Sequence, residues 1–227
     1  MADNSQGRAI LILTAGAVCI SFAAILVKWI GVDNLGPTGI GFWRTLFGGC
    51  FLFLFGLLRG KSLRISSKVI GYAAVAGFVF FLDLFFWHRS IIYSGAGLAT
   101  ILANTQVFGT AILSFFLFKE KLTLRFLLAA VSAMIGVVLL VGLATDQVEF
   151  TRQYTLGILF GLLTGVVYAH YIVILKKAGQ NARLPDIVVF IAWTSMFSAF
   201  YLGVAALLEG VRFFPPDIHT LLVLLLL

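Results

Sequence analysis

Six residues of the first half of this chain recur in the second half at a single ungapped offset of 148 residues. Isoleucine and leucine recur easily in apolar sequence, but a Lys-x2-Gly-x5-Pro spacing is much harder to repeat by chance. The matched positions are Ile10, Leu11, Lys28, Gly31, Pro37 and Phe42 with Ile158, Leu159, Lys176, Gly179, Pro185 and Phe190. The sequence therefore predicts two halves of related structure.

Long apolar segments indicate a membrane protein. Hydrophobic residues make up 61% of the chain and charged residues 11%, which leaves too little polar surface to cover a soluble globule. A helix of about 20 residues crosses a hydrocarbon layer of about 30 Å. Seven such segments and the start of an eighth are predicted at 8–29, 37–58, 69–90, 95–118, 124–143, 155–175, 186–208 and from Asp217. The predicted fold class is all-α, a polytopic membrane helix bundle of about eight helices.

The number of spans between the two copies sets their relative orientation. Five predicted spans separate them, so the second copy enters the membrane from the opposite side. Inverted repeats of this kind are typical of secondary transporters. We assign residues 1–147 to a first five-helix repeat and residues 148–227 to an incomplete second repeat, with two full helices and the start of a third.

The net charge of +7 indicates topology rather than a nucleic-acid partner, because the basic residues are unevenly placed. This positive-inside pattern predicts a multi-pass protein of the cell membrane, in bacteria the inner membrane, with a cytoplasmic N-terminus. We expect Ser62 and Asn181 to be cytoplasmic and Gln147 external. Eleven of the sixteen basic residues fall in alternate connections: Arg8, Arg59, Lys61, Arg64, Lys68, Lys119, Lys121, Arg125, Lys176, Lys177 and Arg183.

The sequence suggests neither a metal site nor a cofactor. Cys19 and Cys50 lie inside predicted spans, where we expect them to be small buried apolar residues rather than a disulfide or metal ligands. The sequence contains no His-Glu-x2-His motif, paired-aspartate motif or nucleophile elbow, which disfavours a membrane-embedded enzyme. A channel or a structural assembly subunit stays open as the alternative to a carrier.

Polar residues inside the third predicted span fall on one helical stripe. Asp83, Trp87, Ser90 and Ser94 follow the spacing i, i+4, i+7 and i+11. Polar groups in hydrocarbon are expensive, so this stripe is expected to face protein or water. Trp87 and its neighbour His88 fit either an interfacial aromatic belt or a substrate surface.

Arg44 in the second predicted span lies at a depth similar to that of Asp83. We predict a buried ion pair between them, which serves either helix register or transport. In the fourth span, Asn104 and Gln106 either hold helices together by hydrogen bonds or bind a polar solute. Thr100 shares a stripe with Asn104.

The sixth predicted span carries a second aromatic and polar stripe. Thr164, Tyr168 and Tyr171 align at i, i+4 and i+7. His170 lies on a neighbouring face, where it is either a proton-coupling site or a hydrogen-bonded structural histidine. Lys28 and Lys176 end their helices and are expected to extend to the interface.

The chain resembles the first half of an EamA-type member of the drug/metabolite transporter superfamily. The boundary between the fourth and fifth spans is the more specific motif, and position 107 holds Val where the family often has proline. The residues that carry the resemblance are Asp83-Leu84-Phe85-Phe86-Trp87-His88-Arg89-Ser90-Ile91, Tyr93, Ala99 to Gln106, Phe118-Lys119-Glu120-Lys121-Leu122-Thr123 and the glycine of Met134 to Leu140.

The resemblance implies ten helices in two inverted five-helix halves around a central cavity, so the 227 residues are expected to be a piece of a longer protein. It also implies proton-linked or facilitated movement of amino acids, metabolites or drugs, commonly outward. The expected partners are a small solute, membrane lipid and protons. We expect a substrate-binding set of Asp83, Trp87, Thr100, Asn104, Tyr168 and Tyr171. The coupling or structural polar residues are expected to be Arg44, His88, Gln106 and His170.

Overall fold

The computed structural model describes residues 3–141, 151–180, 186–212 and 214–227. The regular structure of these residues is helical, which confirms the predicted fold class. Gln147 and Asn181, on which part of the orientation prediction rests, lie outside the described residues. The ten helices are α1 (Asp3–Ser21), α2 (Ala23–Asn34), α3 (Pro37–Leu58), α4 (Ser67–Ser94), α5 (Ala96–Ala103), α6 (Gln106–Phe118), α7 (Leu124–Val141), α8 (Arg152–Gly179), α9 (Ile187–Glu209) and α10 (Ile218–Leu226).

Six helical runs in the described part of the chain are long and apolar enough to cross a membrane. They are Ile10–Ile30, Pro37–Leu58, Ser67–Ser94, Ala96–Phe118, Arg152–Gly179 and Ile187–Glu209. A shorter apolar run, Leu124–Leu139, belongs to α7. The chain is therefore a multi-pass membrane protein.

The first predicted span is not one uninterrupted helix. It divides into α1 and α2 around Phe22, where the Phe22 N–H donates to the Cys19 carbonyl three residues earlier rather than four. The Ser21 hydroxyl donates to the Val18 carbonyl at 2.7 Å. Serine hydroxyls that bond to the preceding turn compete with the helix ladder and bend it. The joint follows from that local competition.

The fourth predicted span is broken as well, although no proline is present. α5 ends at Ala103 and α6 begins at Gln106. The amides of Thr105 and Phe108 each bond three residues back, and the Thr105 hydroxyl donates to the Leu102 carbonyl at 2.6 Å. Such short-range bonds tighten the chain and end the regular α-helix.

Four helices, α3, α4, α8 and α9, form the centre of the bundle. α4 lies against both α8 and α9, and α3 lies against α9. The interface between α4 and α9 is close enough to need a residue without a side chain. A Cβ atom on Gly77 would stand 2.6 Å from Phe197 Cβ and 2.8 Å from the Thr194 carbonyl oxygen. Small residues permit this approach, which supplies the dispersion contacts that hold helices together in lipid.

Among the residues that the structure describes, three ion pairs connect the helix ends. Two lie at the end of the bundle where α3, α6 and α8 finish, which we call the basic end: Lys61 contacts Asp186 at 3.1 Å and Lys176 contacts Glu120 at 2.5 Å. The third joins Arg89 to Glu209 at the opposite end. Glu120 belongs to the boundary motif between the fourth and fifth spans, and Lys176 ends α8. The motif therefore fastens the first half of the chain to the second.

Substitution of Gly77 by Ala is expected to destabilise the protein by about 1–3 kcal/mol, because the new methyl group overlaps the α9 backbone. Gly71 lies on the same helix with open space around its Cα. Gly71→Ala is the matched control, expected to be neutral or to stabilise by up to about 1 kcal/mol. Thermal unfolding of both variants in detergent measures the difference. Equal melting temperatures would contradict the close α4–α9 contact.

The Glu120–Lys176 pair is expected to make stability depend on pH. The hydrogen bond from Lys176 lowers the pKa of Glu120 from its ordinary value of 4.5. A carboxylate with a lowered pKa contributes stability above its unfolded pKa and loses it as pH falls through the folded pKa. Wild type should therefore melt above Glu120→Gln at neutral pH, and the two melting curves should converge in acid. If the difference in melting temperature between the two proteins stayed constant down to acidic pH, the effect would come from packing and not from the charge of Glu120.

Candidate functional site

Five of the predicted site residues meet in the interior of the bundle. Arg44 comes from α3, Asp83 and Trp87 from α4, and Tyr168 and Tyr171 from α8. Asp83 is 6% exposed and Tyr171 is 5% exposed. The charges of Arg44 and Asp83 are close enough to attract each other, and both act on Tyr168. We call these five residues the interior polar group.

Arg44 does not form the predicted contact ion pair with Asp83. The ion pairs of 4.0 Å or less among the described residues do not include it. The Arg44 guanidinium instead lies over the Trp87 ring, with its carbon 5.1 Å from the ring centroid. A cation is attracted by the face of an aromatic ring, and Trp87 is one helical turn from Asp83. Arg44 Nη1 is buried with no hydrogen-bond partner in the described structure.

Aromatic side chains lie near Asp83, since its charge acts on both Tyr168 and Tyr171. Tyr171 stacks on Phe80 at 4.8 Å between ring centroids and on Tyr168 at 5.9 Å. Among the described residues the Asp83 carboxylate makes neither a hydrogen bond nor an ion pair within 4.0 Å. A buried acid without a direct partner is costly and is usually retained for function. The interior polar group thus leaves one cation and one acid open to another molecule.

His88 is fully buried, so its assignment to an interfacial aromatic belt is wrong. Its ring lies against Gly41 of α3, where a Cβ atom would stand 3.1 Å from His88 Nδ1. Neither ring nitrogen makes a hydrogen bond of good geometry within the described part of the chain, although the Pro37 backbone lies close enough to act on the ring. Trp87, by contrast, is half-buried and packs on a cluster that includes Ile40 and Ile91.

Ser90 and Ser94, at the C-terminal end of the predicted α4 stripe, contribute to helix packing. The Ser90 hydroxyl donates to the Gly157 carbonyl of α8 at 2.7 Å, and the Ser94 hydroxyl donates to Ser90. The facing surface of α8 carries glycine at every fourth position, namely Gly157, Gly161 and Gly165. This small-x3-small pattern is visible in the sequence and predicts close helix contact, but our sequence analysis did not use it.

The residues predicted on the fourth span do not join the interior polar group. The Thr100 hydroxyl donates to the Ala96 carbonyl of its own helix, and Asn104 is exposed at the end of α5. Gln106 accepts a hydrogen bond from Thr110 at 3.2 Å. The substrate-binding role of Thr100 and Asn104 and the coupling or structural role of Gln106 stay predictions.

His170 lies on the exposed face of α8, away from Tyr171. Its Nδ1 lies 2.8 Å from the Val166 carbonyl oxygen of its own helix. This contact fits the structural histidine of the two sequence-based alternatives. Proton coupling at this residue stays a prediction.

A cavity of about 270 Å³ lies beside Arg44. Its lining is otherwise small or apolar and comprises Gly16, Cys19, Ile20, Ala23, Leu26, Leu226 and Leu227. A larger groove of about 610 Å³ between α6 and α7 is lined by apolar residues alone, from Phe108 to Leu139. Only the smaller cavity contacts the interior polar group.

A polar cluster that was not predicted from the sequence lies at the end of the bundle opposite the basic end. Arg89 pairs with Glu209, its Nη2 donates to the Thr38 hydroxyl at 3.0 Å, and Thr38 donates to Glu209 at 2.7 Å. The Arg89 guanidinium also lies 3.5 Å from the Phe85 ring centroid. The cluster ties α3, α4 and α9 together. The sequence places a basic residue, Arg89, near the C-terminal end of α4 and an acidic residue, Glu209, at the C-terminal end of α9. These opposite charges were the signal from which the cluster could have been predicted.

Exchange of Arg89 for Gln and of Glu209 for Gln should be non-additive, because either change alone leaves a partly buried charge without its partner. A double-mutant cycle on thermal stability is expected to give a coupling of about 1 kcal/mol. The control cycle combines Arg89→Gln with Asp186→Asn at the basic end, which should add within about 0.5 kcal/mol. Additivity in both cycles would show that the opposite-end cluster carries no net interaction.

Comparison with known proteins agrees with this architecture. A protein of Clostridium kluyveri described as an uncharacterized transporter is 26% identical over 154 residues, which cover 66% of this chain and 47% of that protein. The chain thus spans about half the length of this curated relative. A crystal structure of another protein superposes with a TM-score of 0.68 at 20% identity, covering 97% of this chain and 73% of the other. That likeness is one of fold.

The family model described as the EamA-like transporter family matches residues 7–142. The match covers more than half of the chain and includes most of α1 and all of α2 to α7. It confirms the resemblance drawn from the α4 run and the Lys119-Glu120-Lys121 boundary. The chain belongs to the EamA-like transporter family.

Proposed function

We propose that this chain forms part of a secondary transporter, which exports a small organic solute across the cell membrane by alternating access. The observation that carries the proposal is the interior polar group inside a bundle of a transporter family: Arg44 has a buried Nη1 without an acceptor, and the buried Asp83 has no ion-pair partner within 4.0 Å among the described residues. Ionisable residues inside a membrane bundle commonly mark a solute pathway. Trp87 and Tyr168 supply apolar and stacking surface beside these charges.

The helix contacts support the proposed repeats at 1–147 and 148–227. At the offset of 148, α8 corresponds to α1–α2, α9 to α3, and α10 to the start of α4. α4 lies against α8 and α9, while α10 lies against α2 and α3. Exchange of the two halves therefore maps one set of contacts onto the other. Such a pseudo-two-fold arrangement lets one half rock against the other around a central site.

The ion pairs suggest how the two ends open and close. Those at the basic end join α3 to α9 and the α6–α7 connection to α8, and the cluster at the opposite end joins α4 to α9. The pairs at the basic end are the more exposed ones, and exposed pairs contribute little stability, so the basic end can open and close at small cost during a rocking motion. We place the basic end in the cytoplasm on the positive-inside rule. Outward solute movement then runs from the basic end to the Arg89–Glu209 end.

The carrier model predicts that Trp87→Ala lowers solute flux by about tenfold or more, because it removes the ring beneath Arg44. Trp29→Ala is the matched control, since Trp29 is 71% exposed and lies outside the interior polar group. The measurement is efflux of labelled organic acids, amines and amphoteric solutes from vesicles that contain the full-length protein, at equal expression.

Three further results decide between the candidate functions. Saturable flux identifies a carrier, whereas flux that rises linearly with concentration identifies a channel. No flux of any solute from well-folded protein would favour a structural subunit. His170→Gln tests proton coupling, because loss of the pH dependence of flux in this variant requires His170 to titrate.

A further inference from the structure

The apolar groove between α6 and α7 has no part in the proposed transport. Its volume is about 610 Å³, and its lining runs from Phe108 and Ile112 on α6 to Leu139 on α7. The section on α7 between Phe126 and Leu139 is about 20 Å long at about 1.5 Å per residue. One leaflet supplies about half of a hydrocarbon layer of about 30 Å. The groove is therefore long enough for one acyl chain of a phospholipid.

The side chains of this groove fit an acyl chain better than a second helix. Helices in lipid approach each other through small residues, as α8 does through Gly157 and Gly161. Ala130 is the one small residue in the described lining of the groove, and the others are Leu, Ile, Val, Met and Phe. These larger side chains hold a neighbouring backbone away, whereas a flexible acyl chain can follow their surface. The last described helix, α10, lies against α2 and α3.

Positive charge lies at the basic end of the groove, where Leu122 belongs to the lining. Lys119 and Lys121 are exposed in the connection just before Leu122, and neither takes part in the ion pairs of the described residues. Lys119 has a φ of 56°, a left-handed conformation in which glycine is less costly than a residue with a side chain. The connection thus presents two unpaired ammonium groups beside an apolar groove.

We propose that this groove binds one acyl chain of an anionic phospholipid, whose head group lies against Lys119 and Lys121. The apolar lining alone would accept any phospholipid, so the two lysines supply the preference for negative charge. Ammonium groups donate charge-assisted hydrogen bonds to phosphate oxygens. A lipid bound in this way fills the space between α6 and α7. The proposal goes beyond solute transport and does not depend on it.

The test adds phosphatidylglycerol or phosphatidylcholine with identical acyl chains to delipidated full-length protein in mild detergent. Both lipids carry a phosphate, but the ammonium of phosphatidylcholine cancels its charge. Native mass spectrometry measures how much of each lipid the protein retains. Wild type should retain phosphatidylglycerol about tenfold more strongly, and Lys119→Gln combined with Lys121→Gln should reduce the preference to about twofold or less.

The matched control combines Arg64→Gln with Lys68→Gln. This pair removes two exposed positive charges from the same end of the bundle, in the connection from α3 to α4 and the start of α4. The preference for phosphatidylglycerol should be unchanged, because these residues do not adjoin the groove. An equal loss in both double variants would show a diffuse attraction to the whole basic end and would overturn the proposal.

A second pair of variants tests the groove itself. Ala130→Phe places a ring in the groove and should lower the retention of phosphatidylglycerol by about fivefold or more, because it takes the space of the acyl chain. Ala129→Phe adds the same ring at an exposed position outside the lining and should leave retention unchanged. The binding of lipid should also raise the melting temperature of wild type more than that of Ala130→Phe.

Four results would overturn the proposal. The first two are equal retention of both lipids by wild type and unchanged retention in Ala130→Phe. A wild-type dimer that Ala130→Phe dissociates would identify a second copy as the occupant. A melting temperature of delipidated Ala130→Phe well below that of Ala129→Phe would identify a segment of the chain itself. None of these measurements uses solute flux, so their failure is distinct from a failure of the proposed transport.

Discussion

The cost of an unsatisfied polar group in hydrocarbon governs most of this structure. Each backbone amide of a span must bond within its helix, so the apolar segments become helices whatever their detailed sequence. Hydroxyl side chains obey the same rule, since Thr45, Thr100, Thr164 and Thr194 each donate to a carbonyl four residues earlier in their own helix. Groups that escape this rule, above all Arg44 and Asp83, are therefore informative about function.

The spans could be predicted from the sequence because hydrophobicity and helix length are local properties. The predicted second span matches α3 residue for residue, and the other spans differ from their helices mainly at the ends. The breaks near Phe22 and Asn104 were not predicted. No glycine or proline marks them, and a hydroxyl that bonds to the preceding turn, as those of Ser21 and Thr105 do, does not always end a helix, since Thr45 does the same inside α3.

The membership of the site could be predicted only in part, because a helical stripe fixes a direction and not a partner. Asp83, Trp87, Tyr168 and Tyr171 do share one interior, as their stripes suggested. Depth alone placed Arg44 beside Asp83, but the choice between a carboxylate and the Trp87 face depends on the rotamer of a long side chain. Cys19 and Cys50 were expected to be buried and are exposed, since a thiol is apolar enough to face lipid.

The cost of unsatisfied polar groups in hydrocarbon also explains why close apolar contacts hold the bundle at its centre and charged pairs lie at its ends. In lipid the hydrophobic effect does not drive helices together, so the Gly77 and α8 glycine contacts supply dispersion energy over short distances. Ion pairs such as Lys61–Asp186 lie where water screens them and contribute little to the free energy of folding. In the proposed transporter, a bundle built this way keeps α4, α8 and α9 packed while the ion pairs at its ends break and re-form. The proposed alternating access requires both features, because the central helices must stay packed while the contacts at the two ends form and break.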